Sequence, residues 1–63
     1  MAQTWDSVHR INDEYSAVRW GRHWYLRNDK IAAEDVSNPN AGILGPGWDS
    51  LVMVLAYHQF RTE

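Results

Sequence analysis

Cysteine is absent from this 63-residue chain, which excludes a disulfide framework and a thiolate-held zinc, the usual staples of very small domains. Long apolar runs are missing too: the longest, Leu51 to Tyr57, has seven residues, where a membrane helix needs about twenty. The start, Met1-Ala2-Gln3-Thr4-Trp5-Asp6, has neither the basic region nor the apolar stretch of a secretory signal. The expectation is therefore a soluble cytoplasmic protein with no membrane partner. Positive charge is also short, with six basic side chains against eight acidic ones and a formal net charge of −2. A dedicated nucleic-acid-binding domain is usually basic overall.

Catalytic motifs are lacking as well. There is no His-Glu-x-x-His pair and no nucleophile elbow. Gly42-Ile43-Leu44-Gly45-Pro46-Gly47 is glycine-rich but lacks the Lys-Ser/Thr of a phosphate-binding loop, so its glycines read as turns. His9, His23 and His58 fall on three different expected elements, and the serines have no base at a recognisable spacing. No enzymatic activity, catalytic residue, metal ligand or cofactor is expected.

What the chain does have is aromatic weight: four tryptophans, three tyrosines and one phenylalanine. A domain this small buries only about 60% of its unfolded surface. Each aromatic can bury about 150–250 Å², so most of these rings are expected in the core.

The spacing predicts an α+β fold in a single domain: an N-terminal helix, a three-stranded antiparallel sheet and a C-terminal helix. Trp5, Val8, Ile11 and Tyr15 recur at three- and four-residue steps, which predicts a helix over 4–15 with Thr4 as its N-cap. Val18, Trp20, Trp24 and Leu26 alternate, which predicts strands over 16–20 and 23–27 joined by a two-residue Gly21-Arg22 turn. A second tight turn at Asn28-Asp29 leads to a third strand over 30–34, placing Leu26 opposite Ile31 and Trp24 opposite Ala33. The rival for that third segment is a short helical turn, since Ala-Ala-Glu favours helix.

Breaker clusters make 37–47 a loop in which Ile43 and Leu44 plug the core. The last segment predicts a helix over 48–60. Trp48, Leu51, Val52 and Leu55 form one apolar stripe and Met53, Ala56, Tyr57 and Phe60 another. Apolar side chains on two faces call for burial on two sides, which points to a partner or a second copy, hence a homodimer through this helix. Trp-Asp-Ser occurs at 5–7 and again at 48–50, and reads as two independent helix starts.

The near-neutral total hides segregation. Arg19, Arg22, Arg27 and Lys30 stand against Asp29 alone in the central hairpin, while Asp6, Asp13, Glu14, Glu34, Asp35 and Asp49 lie on either side of it. The hairpin interleaves arginine with stacking rings. That mixture suits a protein interface, where Trp, Tyr and Arg dominate the binding energy. It also suits single-stranded nucleic acid, a partner that the net charge makes the weaker candidate. The candidate partner-binding residues are Arg19, Trp20, Arg22, Tyr25 and Arg27, with Glu34 and Asp35 as an acidic counterpart.

Short length, no cysteine, an acidic-leaning total, no catalytic motif and a mixed α/β pattern together resemble the small inhibitor proteins encoded by phages and mobile elements, the anti-CRISPR proteins among them. The resemblance is one of profile and carries no shared motif. It implies a stoichiometric inhibitor that blocks a larger protein or ribonucleoprotein complex in the host cytoplasm. Asp13, Glu14, Glu34 and Asp35 would then mimic phosphates, or the Arg/Trp hairpin would grip the complex directly. Arginine outnumbers lysine, which suits hydrogen-bonded protein interfaces better than diffuse charge.

Overall fold

The computed structural model describes residues 5–38 and 40–61. Four strands, β1 (Ser7–Arg10), β2 (Tyr15–Trp20), β3 (His23–Asn28) and β4 (Ile43–Trp48), form one antiparallel sheet in chain order. A short helix, α1 (Asp29–Glu34), lies between β3 and β4, and a longer one, α2 (Leu51–Arg61), ends the described chain. The α+β class holds, but among the described residues there are four strands and no helix ahead of the sheet. Among the described residues no helix is long and apolar enough to cross a membrane.

The central hairpin forms as its alternation dictates. Trp20 pairs with His23 across a two-residue turn, and Gly21 has φ 66° while among the described residues no non-glycine has a positive φ. That is the turn pattern whose twist matches the flanking strands.

Three expected elements are corrected. Part of the segment read as a helix over 4–15 is a strand, since Ser7–Arg10 pairs with β2 (Val8 opposite Val18, His9 opposite Ala17). The chain then reverses through Asn12, whose side-chain oxygen accepts from the backbone N–H of Glu14 at 2.8 Å and of Tyr15 at 2.9 Å. This Asx turn closes a hairpin where the apolar spacing suggested a continuous helix. The N-cap expected at Thr4 lies outside the described residues.

The third strand over 30–34 is α1. Asn28 does not open a tight turn but caps that helix, accepting from Ile31 N at 3.0 Å. Leu26 consequently faces Leu44, and Trp24 faces Trp48, neither facing a residue of 30–34. Residues 43–47 of the expected loop belong to β4. Leu26 and Trp24 are two apart while their partners Leu44 and Trp48 are four apart, so β4 bulges between them, with Gly45 at φ 71°. Pro46 is tolerated there because β4 is an edge strand and need not donate outward.

One sheet face packs on α2. Ala17, Leu26 and Val54 are fully buried at its centre, ringed by Ile11, Tyr15, Trp24, Leu44, Trp48, Leu51 and Tyr57. The Trp48 and Tyr57 rings lie 4.8 Å apart, and those of Tyr15 and His58 4.9 Å apart. Ser50 accepts from Met53 N with its carbonyl at 3.2 Å and its hydroxyl at 3.4 Å, so α2 begins after Trp48-Asp49 and not at Trp48.

Candidate functional site

Strand alternation sends Ser16, Val18 and Trp20 of β2, and His23, Tyr25 and Arg27 of β3, to the sheet face away from α2. Val18 is fully buried yet stands outside the α2-side core. Its cross-strand neighbours are Val8 and Tyr25, so a second, smaller apolar layer occupies this face.

That layer is topped by aromatic rings. Trp5, just ahead of β1, meets Trp20 edge to face, with centroids 5.8 Å apart and planes at 86°. It meets Tyr25 at 6.4 Å and 48°. The next residue is anchored by two hydrogen bonds: Asp6 N donates to Arg19 O at 2.9 Å, and the Asp6 carboxylate accepts from Gly21 N at 2.7 Å. The three rings, with Asn40 and Ile43, line a half-open cavity of about 110 Å³. Trp20 remains 51% exposed.

The cations are mostly committed within the molecule. Arg27 Nε donates to Asp29 Oδ1 at 2.8 Å, and Ser16 Oγ donates to the other oxygen of the same carboxylate at 2.6 Å. Arg19 reaches the opposite sheet face, where it donates to Ser7 Oγ at 3.3 Å and to Gly21 O at 2.7 Å. Arg10 donates to the carbonyls of Asn12 and Asp13. Arg61 lies 5.7 Å from the centre of the Tyr57 ring, and its hydrogen bond to the Tyr57 hydroxyl raises its pKa above the ordinary value. Among the described residues, the side chains of Arg22 and Lys30 take part in no hydrogen bond or ion pair.

The expected site residues are thus divided. Trp20 and Tyr25 share the cavity, Arg27 shares their face, and Arg22 sits exposed at the adjoining turn. Arg19 does not join them. Glu34 and Asp35 are exposed at the end of α1, where Asp35 accepts from Ser37 Oγ at 3.1 Å; neither lines the cavity. Trp5, Asn40 and Ile43 were not expected there. The signal for Trp5 was the Asn12-Asp13-Glu14 turn cluster, which makes Ser7–Arg10 one arm of a hairpin and brings the residue ahead of it back to the Gly21 turn. Leu44 packs on the core as expected, but Ile43, its neighbour in the strand, points to the other face.

A second apolar surface lies on the outside of α2. Val52 is 71% exposed, Met53 51% and Phe60 84%, and Ala56 is exposed with them. The two stripes expected for this helix are redistributed. Leu51, Val54 and Tyr57 turn inward, while Val52, Met53, Ala56 and Phe60 form the outer row.

Comparison with protein-family models, with curated proteins and with solved structures returns no match. Among the described residues, no three His, Asp or Glu side chains are grouped to hold a metal ion.

Proposed function

We propose that this chain acts without catalysis, by binding a larger protein through the sheet face that carries Trp5, Trp20 and Tyr25. The observation behind the reading is that ring cluster, which stands away from α2 with Trp20 half exposed and the exposed Arg22 in the adjoining turn. Trp, Tyr and Arg in a half-open apolar setting are the residues on which protein interfaces concentrate their energy. In the blocking mode that the sequence profile resembles, occupation of the partner's surface is the whole effect, as with stoichiometric inhibitors of phage or mobile-element origin.

The cations favour a protein partner over nucleic acid. Strand binding draws on several basic side chains free to neutralise phosphates. Here Arg19 and Arg27 are held by Ser7, Gly21 and Asp29, and the molecule is acidic overall. Trp20→Ala combined with Arg22→Glu is expected to abolish partner capture while the circular dichroism spectrum stays that of the unmodified chain. Tight, salt-sensitive binding of single-stranded RNA or DNA by the unmodified chain would transfer the function to the nucleic-acid class.

The outer row of α2 supports a second reading, a homodimer through Val52, Met53, Ala56 and Phe60. It is compatible with the first, since the row and the ring cluster lie on different elements.

A further inference from the structure

We propose that the cavity between Trp5, Trp20 and Tyr25 is an aromatic cage for a methylated ammonium group on a lysine side chain of the partner. This rests on the protein-binding reading above and names the group that is recognised.

Size sets the first limit. About 110 Å³ is well below the several hundred Å³ of pockets that take drug-sized molecules, so the cavity admits the head of one side chain. Shape sets the second. The two tryptophan planes meet at 86° and Tyr25 tilts 48° from Trp5, an arrangement of walls around a rounded group. A row of aromatic ridges would instead suit an extended proline-rich segment.

Electrostatics supplies the sign. Ring faces carry negative quadrupole charge, and a cation within about 6 Å of a ring centre is attracted, most strongly by tryptophan. The tryptophan rings touch edge to face, with centroids 5.8 Å apart, so the cation's place is not between them but in the cavity that both line together with Tyr25. The Asp6 carboxylate adds a full charge where the two tryptophan-bearing segments join, following Trp5 in the chain and bonded to Gly21 N directly after Trp20. Arg27, on the same face, is neutralised by Asp29. Arg19, next to Trp20 in the chain, is turned to the opposite face and bonded to Ser7 Oγ and Gly21 O, and Arg22 is exposed at the turn. Methylation selects among cations. An unmodified ammonium is strongly hydrated and loses three donors' worth of water on entry, whereas a trimethylammonium presents methyl groups to the rings and has no donor to strand.

The test is a titration of the isotope-labelled full chain, following the indole N–H resonances of Trp5 and Trp20. The probes are trimethyllysine, unmodified lysine and the neutral analogue in which carbon replaces the quaternary nitrogen. Saturable shifts at both indoles are expected, with trimethyllysine at least about tenfold tighter than either comparator, and with Asp6→Asn weakening it while the neutral analogue is unaffected. Equal binding of the neutral analogue, or no shift at Trp5 and Trp20, overturns the cage. Co-sedimentation with phosphatidylcholine vesicles would overturn the assignment to a protein side chain. If the cage fails while Trp20→Ala with Arg22→Glu still abolishes partner capture, the interface reading stands without it. If trimethyllysine binds but capture survives the double substitution, the interface reading falls and takes the proposed ligand source with it.

Discussion

At Gly42 the backbone enters β4 with φ 81°, and a Cβ added there would collide with the carbonyl oxygen of Asn28 and lie 3.1 Å from the amide nitrogen of Ala32. Both are backbone atoms, and Gly42 O itself accepts from Asn28 N at 2.7 Å. Neither side can yield without breaking the junction of β3, α1 and β4. Gly21 also has a positive φ, 66°, but a Cβ there meets nothing within 4 Å. Left-handed backbone alone costs a non-glycine residue roughly 1–2 kcal/mol, so Gly21→Ala should lose about that much. Gly42→Ala should lose clearly more, because the steric clash adds to the same strain. Urea denaturation of the two variants side by side checks the order, and equal losses would mean that the close approach at Gly42 is not a feature of the folded chain.

At the scale of elements, α1 shows how local chemistry and tertiary pairing divide the work. Six residues are too few to hold a helix by propensity alone, so its start must be fixed from outside. Asn28 does this with both ends of its side-chain amide, the oxygen accepting from Ile31 N at 3.0 Å and the nitrogen donating to Glu14 at 3.1 Å, in a position only 6% exposed. Asn28→Ala removes a cap worth about 1 kcal/mol and a partly buried hydrogen bond worth about the same. The expected loss is therefore about 2 kcal/mol, with faster amide exchange at Ile31. Glu34→Ala, exposed at the other end of α1, should stay within about 0.5 kcal/mol.

The same elements show what was legible beforehand. The β2–β3 hairpin was, because alternation within each strand and a glycine at the first turn position are local signals that agree, although the two-residue turn puts Val18 and Trp20 on one face and Trp24 and Leu26 on the other. The apolar run of α2 was visible too, though Val54, its one fully buried residue, belonged to neither expected stripe. β1 was not legible, since Val8, Ile11 and Tyr15 fit a helical step equally well, and the choice is made by pairing with β2. β4 was hidden by Gly45, Pro46 and Gly47, which mark a loop in isolation but are accommodated by a bulged edge strand. At the candidate site, Trp20 and Tyr25 followed from the hairpin pattern. Trp5, Asn40 and Ile43 join them only through the long-range contacts that no single window of sequence contains.

For the whole molecule, the question is how much apolar surface a chain of this size leaves on its exterior, and where. The core proper holds few large side chains, and its aromatic ring of Tyr15, Trp24, Trp48 and Tyr57 is only partly covered. The remaining apolar weight is displayed on opposite sides of the sheet, in the Trp5–Trp20–Tyr25 cluster and along the outside of α2. Contiguous exposed patches of this kind mark contact surfaces, and the helical one is a single row that a two-fold axis can bring against itself.

Phe60, at 84% exposed, contributes little to the monomer, so Phe60→Glu should change the unfolding free energy by less than about 0.5 kcal/mol. In a homodimer built on this row it would place like charges together in an apolar seam. The expected outcome by light scattering is therefore a dimeric mass for the unmodified chain and a monomeric mass for Phe60→Glu, with an unchanged circular dichroism spectrum for both. Leu55→Asp is the poorer probe, because Leu55 is half-buried and its loss would confuse dissociation with unfolding. A monomeric mass for the unmodified chain at high concentration would remove self-association and leave the α2 row as a surface without a partner copy. A dimer that persists in Phe60→Glu would move the interface to the ring cluster, where Trp20→Ala should then dissociate it.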